Sequence, residues 1–196
     1  MADGQGETAG QGFEVGEATL ARVAPALGAR LAGLGLATRT VEHPAVFTVE
    51  ESRSLRGDLP GAHTKNLFLR DRKGRLFLVV ALEETAVDLR TFHTRVGAQG
   101  KVSFASPEAM GEVLGVEPGS VTAFAILNDR DGRATLVLDR ALLAHDILHC
   151  HPLTNRATTA IARVDLLAFF QALGRDPLVV SLEAEDGDNA ANGTSS

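Results

Sequence analysis

Apolar residues recur at Leu20, Val23, Leu27, Leu31 and Leu34, the spacing of one helix face, and Gly33 and Gly35 mark the end of that stretch. Pro25 is tolerable only near a first turn, so the pattern fixes where this helix ends better than where it starts. Thr38 to Glu42 reads as a short strand. Thr48 followed by Glu51 has capping-box spacing and predicts a helix through roughly Leu55. Leu67 to Arg70 and Leu76 to Leu82 are apolar runs around Asp71-Arg72-Lys73-Gly74-Arg75, a hairpin signature.

Two helices are expected next, Asp88 to Val96 and Ser106 to Leu114, the second with Ser106 as cap and Pro107 in its first turn. A further hairpin is predicted from Ala123–Leu127 and Ala134–Leu138, joined through Asn128 to Arg133. Ile147–His151 and Thr158–Ala162 read as strands around Pro152-Leu153-Thr154-Asn155. Asp165 is expected to cap a helix through about Leu173, Gly174 to stop it, and Leu178–Leu182 to close the fold as a strand. Hairpins mixed with helices, without regular β-α-β alternation, predict an α+β fold around a mixed, mainly antiparallel sheet. There is no internal repeat.

The ends lack any such period. Residues 1–16, rich in Gly, Gln, Glu and Thr, are expected to be a disordered extension, residues 17–182 one domain, and residues 183–196 a disordered acidic tail. At 196 residues, 44% hydrophobic and 22% charged, the chain fits one ordinary soluble domain. Cys150 is the sole cysteine, which rules out an internal disulfide and a cysteine-based zinc cluster and fits a reducing, cytoplasmic compartment. No leader pattern opens the sequence and no segment approaches the ~18 apolar residues of a membrane span.

The net charge of −6 is unevenly placed. Residues 1–19 and 183–196 each carry four acids and no Lys or Arg, which leaves 17 acids against 19 bases between them. The middle therefore admits a local phosphate contact without resembling a protein that grips a long duplex. Lacking Trp and Tyr, it offers no broad stacking platform for single strands.

Three clusters hold candidate chemistry. Lys65, one of three lysines among sixteen arginines, stands at the mouth of a strand in G-A-H-T-K-N-L-F-L, where a compact charge can meet a phosphate or carbonyl oxygen. From position alone, a surface lysine lying over the sheet edge is the plainer reading. Glu117-Pro118-Gly119-Ser120 is a turn that can aim backbone N–H groups into a cleft, or simply connect two elements. In His149-Cys150-His151, alternation puts both histidines on one strand face and Cys150 on the other. A metal site would need a third ligand that the spacing does not supply, and a buried structural thiol is the better reading of Cys150.

Taken together, V-E-H-P-A-V-F-T at 41–48, L-P-G-A-H-T-K-N-L-F-L at 59–69, P-G-S-V-T at 118–122 and H-P-L-T-N-x-A-T-T-A-I at 151–161 resemble the YbaK/ProX superfamily. They resemble in particular the free-standing prolyl-tRNA editing proteins of the PrdX/ProXp-ala group, related to the insertion domain of bacterial prolyl-tRNA synthetase. The resemblance implies a metal-free and cofactor-free trans-editing hydrolase that releases alanine mischarged on tRNA(Pro). It implies Lys65 and Gly119 as catalytic, and His43, Thr64, Asn66, Ser120, His151 and Asn155 as substrate-binding. Its implied partners are the acceptor end of tRNA(Pro) and prolyl-tRNA synthetase, with no membrane. Hydrolysis of cysteinyl-tRNA(Pro) or of another small mischarged residue, or a non-catalytic tRNA-binding regulatory role, stays open on the same fold. One departure stands out: the family's glycine loop usually reads G-x-x-x-P, whereas here Ala123 takes the proline position.

Overall fold

A computed structural model describes residues 17 to 45 and 61 to 183. The expected N-terminal extension, the helix expected from Thr48 and nearly all of the acidic tail lie outside the described residues.

The opening helical pattern resolves into two helices, α1 (Glu17–Val23) and α2 (Pro25–Gly33). The break falls where proline forces it: Pro25 takes the first position of α2, where a missing N–H costs nothing. The strands are β1 (Thr38–Glu42), β2 (Ala62–Arg70), β3 (Leu76–Leu82), β4 (Ser103–Phe104), β5 (Ala134–Asp139), β6 (Ile147–Cys150), β7 (Ala157–Ala162) and β8 (Leu178–Val180). They form one sheet in the order β1-β7-β6-β2-β3-β5-β8, with β4 also on β2. Four pairings are antiparallel (β1·β7, β6·β7, β2·β3, β2·β4) and three parallel (β2·β6, β3·β5, β5·β8). The α+β class with a mixed, mainly antiparallel sheet is thereby established.

Three local expectations are corrected. Ala123–Leu127 is a 3-10 helix instead of a hairpin strand, capped by the Thr122 hydroxyl, which accepts from Phe124 N at 3.4 Å. Ala123, Phe124, Ala125 and Ile126 are all buried, and a short run that is apolar on every side has no period to distinguish strand from helix. Its supposed partner, β5, pairs in parallel with β3 and β8 instead. Asp165 does not cap its helix: α5 (Arg163–Ala172) begins after Ala162, and Asp165 lies in its first turn, where a negative charge suits the helix dipole. The helix expected from Asp88 is only α3 (Phe92–Val96), because the Asp88 carboxylate bonds the Arg90 backbone and side chain in a turn. By contrast α4 (Pro107–Leu114) starts where predicted, with the Ser106 hydroxyl accepting from Ala109 N.

The strands alternate between two hydrophobic clusters. Phe68, Leu78, Val80, Leu136 and Leu138 join Phe124, Phe169, Phe170, Leu27 and Leu31 on the first face. Leu69, Phe77, Val79, Ala81 and Val137 join Phe92 and Val96 on the second.

The β2–β3 turn is knotted by Asp71. Its buried carboxylate accepts from the amides of Lys73, Arg75 and Gln99 at 2.9–3.0 Å and from Arg75 Nε at 2.8 Å. Burial pushes this carboxyl up, but the Gln99, Arg75 and Lys73 donors outweigh it and hold it at about 2. With the folded value below the ordinary 3.8, the stabilisation is complete above that pH and is lost as pH falls through about 2.

Candidate functional site

The site grows out of a gap in strand pairing. One edge of β2 is paired with β3 from Thr64 to Arg70. The other edge meets β6 only at Ala62 and His63, and β4 only at Leu69 and Arg70. No described strand pairs with that second edge from Thr64 to Leu67, and at Phe68 the carbonyl already accepts from Ala105 N at 2.9 Å. Where β2 and β6 part, side chains replace the ladder: the Thr64 hydroxyl donates to His149 O at 2.9 Å and lies 3.6 Å from Cys150 Sγ. His63 and His149 stack across the last pair, ring centroids 4.3 Å apart.

Lys65 and Asn66 sit at this gap and, as neighbours on a strand, face opposite ways. Lys65, opposite Ala81, belongs to the second face. Its ammonium donates to the Thr85 carbonyl, and the Thr85 hydroxyl donates to Asp139 Oδ2 at 2.6 Å. Burial holds the ammonium below the usual lysine range, and the Glu83 and Asp139 charges pull part of that back. Asn66, opposite Val80, faces the first cluster; its Nδ2 lies 3.5 Å from Thr64 Oγ1, and its buried Oδ1 has no hydrogen-bond partner among the described residues. An orphaned buried acceptor is costly, and a ligand donor would relieve it.

His151 lies beyond the end of β6. Its Nδ1 donates to the Ala157 carbonyl at 3.0 Å, which leaves Nε2 as the acceptor of a neutral ring. Burial lowers its proton affinity, the Ala157 carbonyl works against that, and the His43 and Glu83 charges add smaller opposed effects. Glu83 thus lies within electrostatic range of both Lys65 and His151. The His43 ring is 6.3 Å from His151, with Nδ1 donating to Pro44 O and Nε2 bonded to Thr158 Oγ1 at 2.9 Å. The loop after His151 holds Leu153 at φ 63, a left-handed conformation that a branched side chain rarely adopts, and buries Asn155.

Gly119 and Ser120 occupy a separate turn. Ser120 N donates to Glu117 O at 3.0 Å, and Gly119 at φ 88 supplies the third position that only glycine takes easily after proline. That bond consumes the Ser120 amide; the Gly119 amide has no partner among the described residues. The chain then enters the 3-10 helix packed on the first face, the side of Asn66, whereas Lys65 is on the second. Lys65 and His151 therefore share the electrostatic reach of Glu83, His43 stands beside His151, and Thr64 and Asn66 flank Lys65 at the gap. A ligand touching both Lys65 and Gly119 would lie across the gap instead of on one face. Ala123 fits its place: it is the first residue of the 3-10 helix, where proline's missing N–H would be an orphan in any case.

Sequence reasoning missed Glu83, Thr85 and Asp139. The one available signal was Asp139 closing an apolar run, Ala-Thr-Leu-Val-Leu-Asp, as an acid where a buried strand ends. Cys150 is buried with its thiol pushed up to about 12 by burial, so it is no nucleophile at neutral pH. A groove of about 650 Å³ beside α1 and α2 is lined by Ala18, Ala21, Gly28, Ala32 and other residues without an ionisable group, so it offers no side-chain acid, base or cation to a reacting ester.

Gly61, just before β2, has φ 120, and a Cβ there would stand 2.9 Å from both Ile147 O and His149 Nε2. Gly61→Ala is expected to cost at least about 2 kcal/mol in chemical denaturation, from backbone strain plus overpacking. A variant as stable as the native chain would show that this approach of β2 to β6 is not tight.

Residues 43–169 match the sequence profile of a family described as the aminoacyl-tRNA editing domain. The chain is 40% identical over 167 residues to the Bos taurus prolyl-tRNA synthetase associated domain-containing protein 1, covering 83% of this chain and 97% of the relative. It is 35% identical over 147 residues to the prolyl-tRNA editing protein ProX of Acetoanaerobium sticklandii, covering 74% and 89%. A solved structure described as a candidate trans-editing enzyme for prolyl tRNA synthetase superposes with a TM-score of 0.64 at 26% identity, covering 85% of this chain and 98% of its own.

Proposed function

This chain belongs to the aminoacyl-tRNA editing domain family, and on that premise we propose that it hydrolyses the ester of alanine mischarged on tRNA(Pro), releasing alanine and free tRNA. The observation that carries the reading is Lys65: a half-buried ammonium tethered through Thr85 to buried Asp139, beside a stretch of β2 edge left open by the described strands. An aminoacyl ester is already activated, so its hydrolysis needs an oriented water, a partner for the carbonyl oxygen and a held adenosine more than it needs a strong base. Lys65 serves as the electrostatic partner of the ester or phosphate oxygen, and the Gly119 amide as a second donor. Asn66 Oδ1 accepts from the terminal nucleoside. His151, His43, Thr64, Ser120 and Asn155 bound the aminoacyl pocket. No side chain acts as general base; the neighbouring ribose hydroxyl orients the water.

Selectivity follows from size. A pocket that admits alanine and is too small for proline rejects the correct product sterically, whereas excluding a smaller residue gains only ~1–3 kcal/mol per missing methylene. Deacylation of alanyl-, cysteinyl- and prolyl-tRNA(Pro) tests this directly. Fast release of alanine with prolyl-tRNA left intact is the expected outcome. Preferential release of cysteine would reassign the substrate, and binding without release of any of the three would make the protein a regulatory module.

A further inference from the structure

At the end of β2 remote from Lys65, the chain builds a feature that ester chemistry does not use. Arg70 ends β2, Arg72, Lys73 and Arg75 make the turn to β3, and Lys101 leads into β4; all five are exposed. They form one surface, because β4 pairs Ser103 with Arg70, Gln99 N donates to Asp71, and Gly100 packs on the Arg72 side chain. The acid within the turn, Asp71, is buried and already claimed by Arg75. From Phe92 to Pro107 the sequence contains no Asp or Glu. Among the described residues, Arg70, Arg72, Lys73 and Lys101 have no acidic partner. In a chain of net charge −6, so many uncompensated cations at one place are a self-repelling arrangement, one that a polyanion relieves.

We propose that this end of the sheet is the surface that carries the phosphate backbone of the RNA, a reading that rests on the tRNA substrate argued above. It lies five residues along β2 from Lys65, roughly 17 Å at the rise of a strand. The strand thus separates a reaction end from a gripping end by the span of a few nucleotides. Phe104, 65% exposed and opposite Leu69, adds a ring on which an unpaired base can stack. Asp71 fixes the turn backbone, so the cations are presented without first having to be ordered.

The test is the combined variant Arg72→Gln, Lys73→Gln, Lys101→Gln, which leaves the Asp71–Arg75 knot intact. Binding of uncharged tRNA(Pro) is followed by fluorescence anisotropy over a salt series, and deacylation by initial rates. Affinity at low salt is expected to fall by about tenfold or more, with the slope of log K against log salt shallower by roughly 2–3. KM should rise in step while kcat and thermal stability hold. An unchanged affinity and slope in the variant overturn the assignment even where the native protein deacylates normally, and leave an acidic protein as the occupant of the patch. Salt-sensitive binding that the variant loses, in a protein that hydrolyses nothing, upholds the surface and removes the proposed chemistry. A native protein with no affinity for tRNA sinks both.

Discussion

Lys65→Ala is expected to reduce alanine release from tRNA(Pro) by ~100-fold or more, the usual consequence of deleting one preorganised donor to a developing oxyanion. The fold should survive, because Lys65 is half-buried at a strand position whose backbone partner, Ala81, is unaffected. Thermal stability is expected to be unchanged or slightly raised, since removing the ammonium also removes its desolvation cost. Lys65→Arg should not restore the rate: the guanidinium is larger, planar and unable to replace a compact ammonium under the Thr85 carbonyl. Parallel melting curves and single-turnover deacylation decide the matter. Equal rates for the native protein and Lys65→Ala would leave family membership standing and remove the lysine from the chemistry.

The second large effect is expected at Asp139, which is 1% exposed. Its carboxylate accepts from the Thr85 hydroxyl at 2.6 Å and from the amides of Ala141 and Leu182 at 3.3 Å. Asp139→Ala strands those donors and should cost roughly 3 kcal/mol. For a domain of this size, that lowers Tm by roughly 6–12 °C. Asp139→Asn keeps the shape and isolates the charge. The Asp139 charge raises the proton affinity of Lys65, so its loss lowers that affinity further. A reaction that needs the protonated ammonium must then fail at lower pH than in the native protein. The alkaline limb of the kcat/KM profile should move to more acidic values, while the acidic limb stays where it was. Coincident profiles would reduce Asp139 to a purely structural group.

Much of this fold is legible locally because single residues dictate local geometry. Pro25, Ser106, Asp71 and Gly174 each act within a few positions of themselves, and the structure turns, caps or stops at all four. The first hairpin is equally plain, since its two apolar runs flank a turn with its own hydrogen-bond donors and acceptor. What escapes is whatever depends on distant segments. The run Ala123–Leu127 is apolar throughout and buried from Ala123 to Ile126, so nothing in its pattern separates a 3-10 helix from a strand. The parallel pairing of β3 with β5 joins segments more than fifty residues apart and leaves no local trace. The candidate site divides the same way. Lys65 draws attention as a rare lysine at the start of a strand, whereas its partner Asp139 becomes visible only when β5 is laid beside β3. The gap on the second edge of β2 has the same origin: it exists because β6 and β4 each claim one end of a nine-residue strand.

The hydrogen-bonded knot at Asp71 has an implication for how this sequence is allowed to vary. Lys65 and Asn66 are consecutive, so sliding β2 past β3 by a single position would exchange the faces on which the cation and the amide lie, and with them the two roles proposed above. The five residues from Asp71 to Arg75 set that alignment like a ruler's zero mark. Insertions or deletions of one residue in this exposed turn should accordingly be far more damaging than point changes there, though the turn lies at the other end of the strand from the reaction they would abolish.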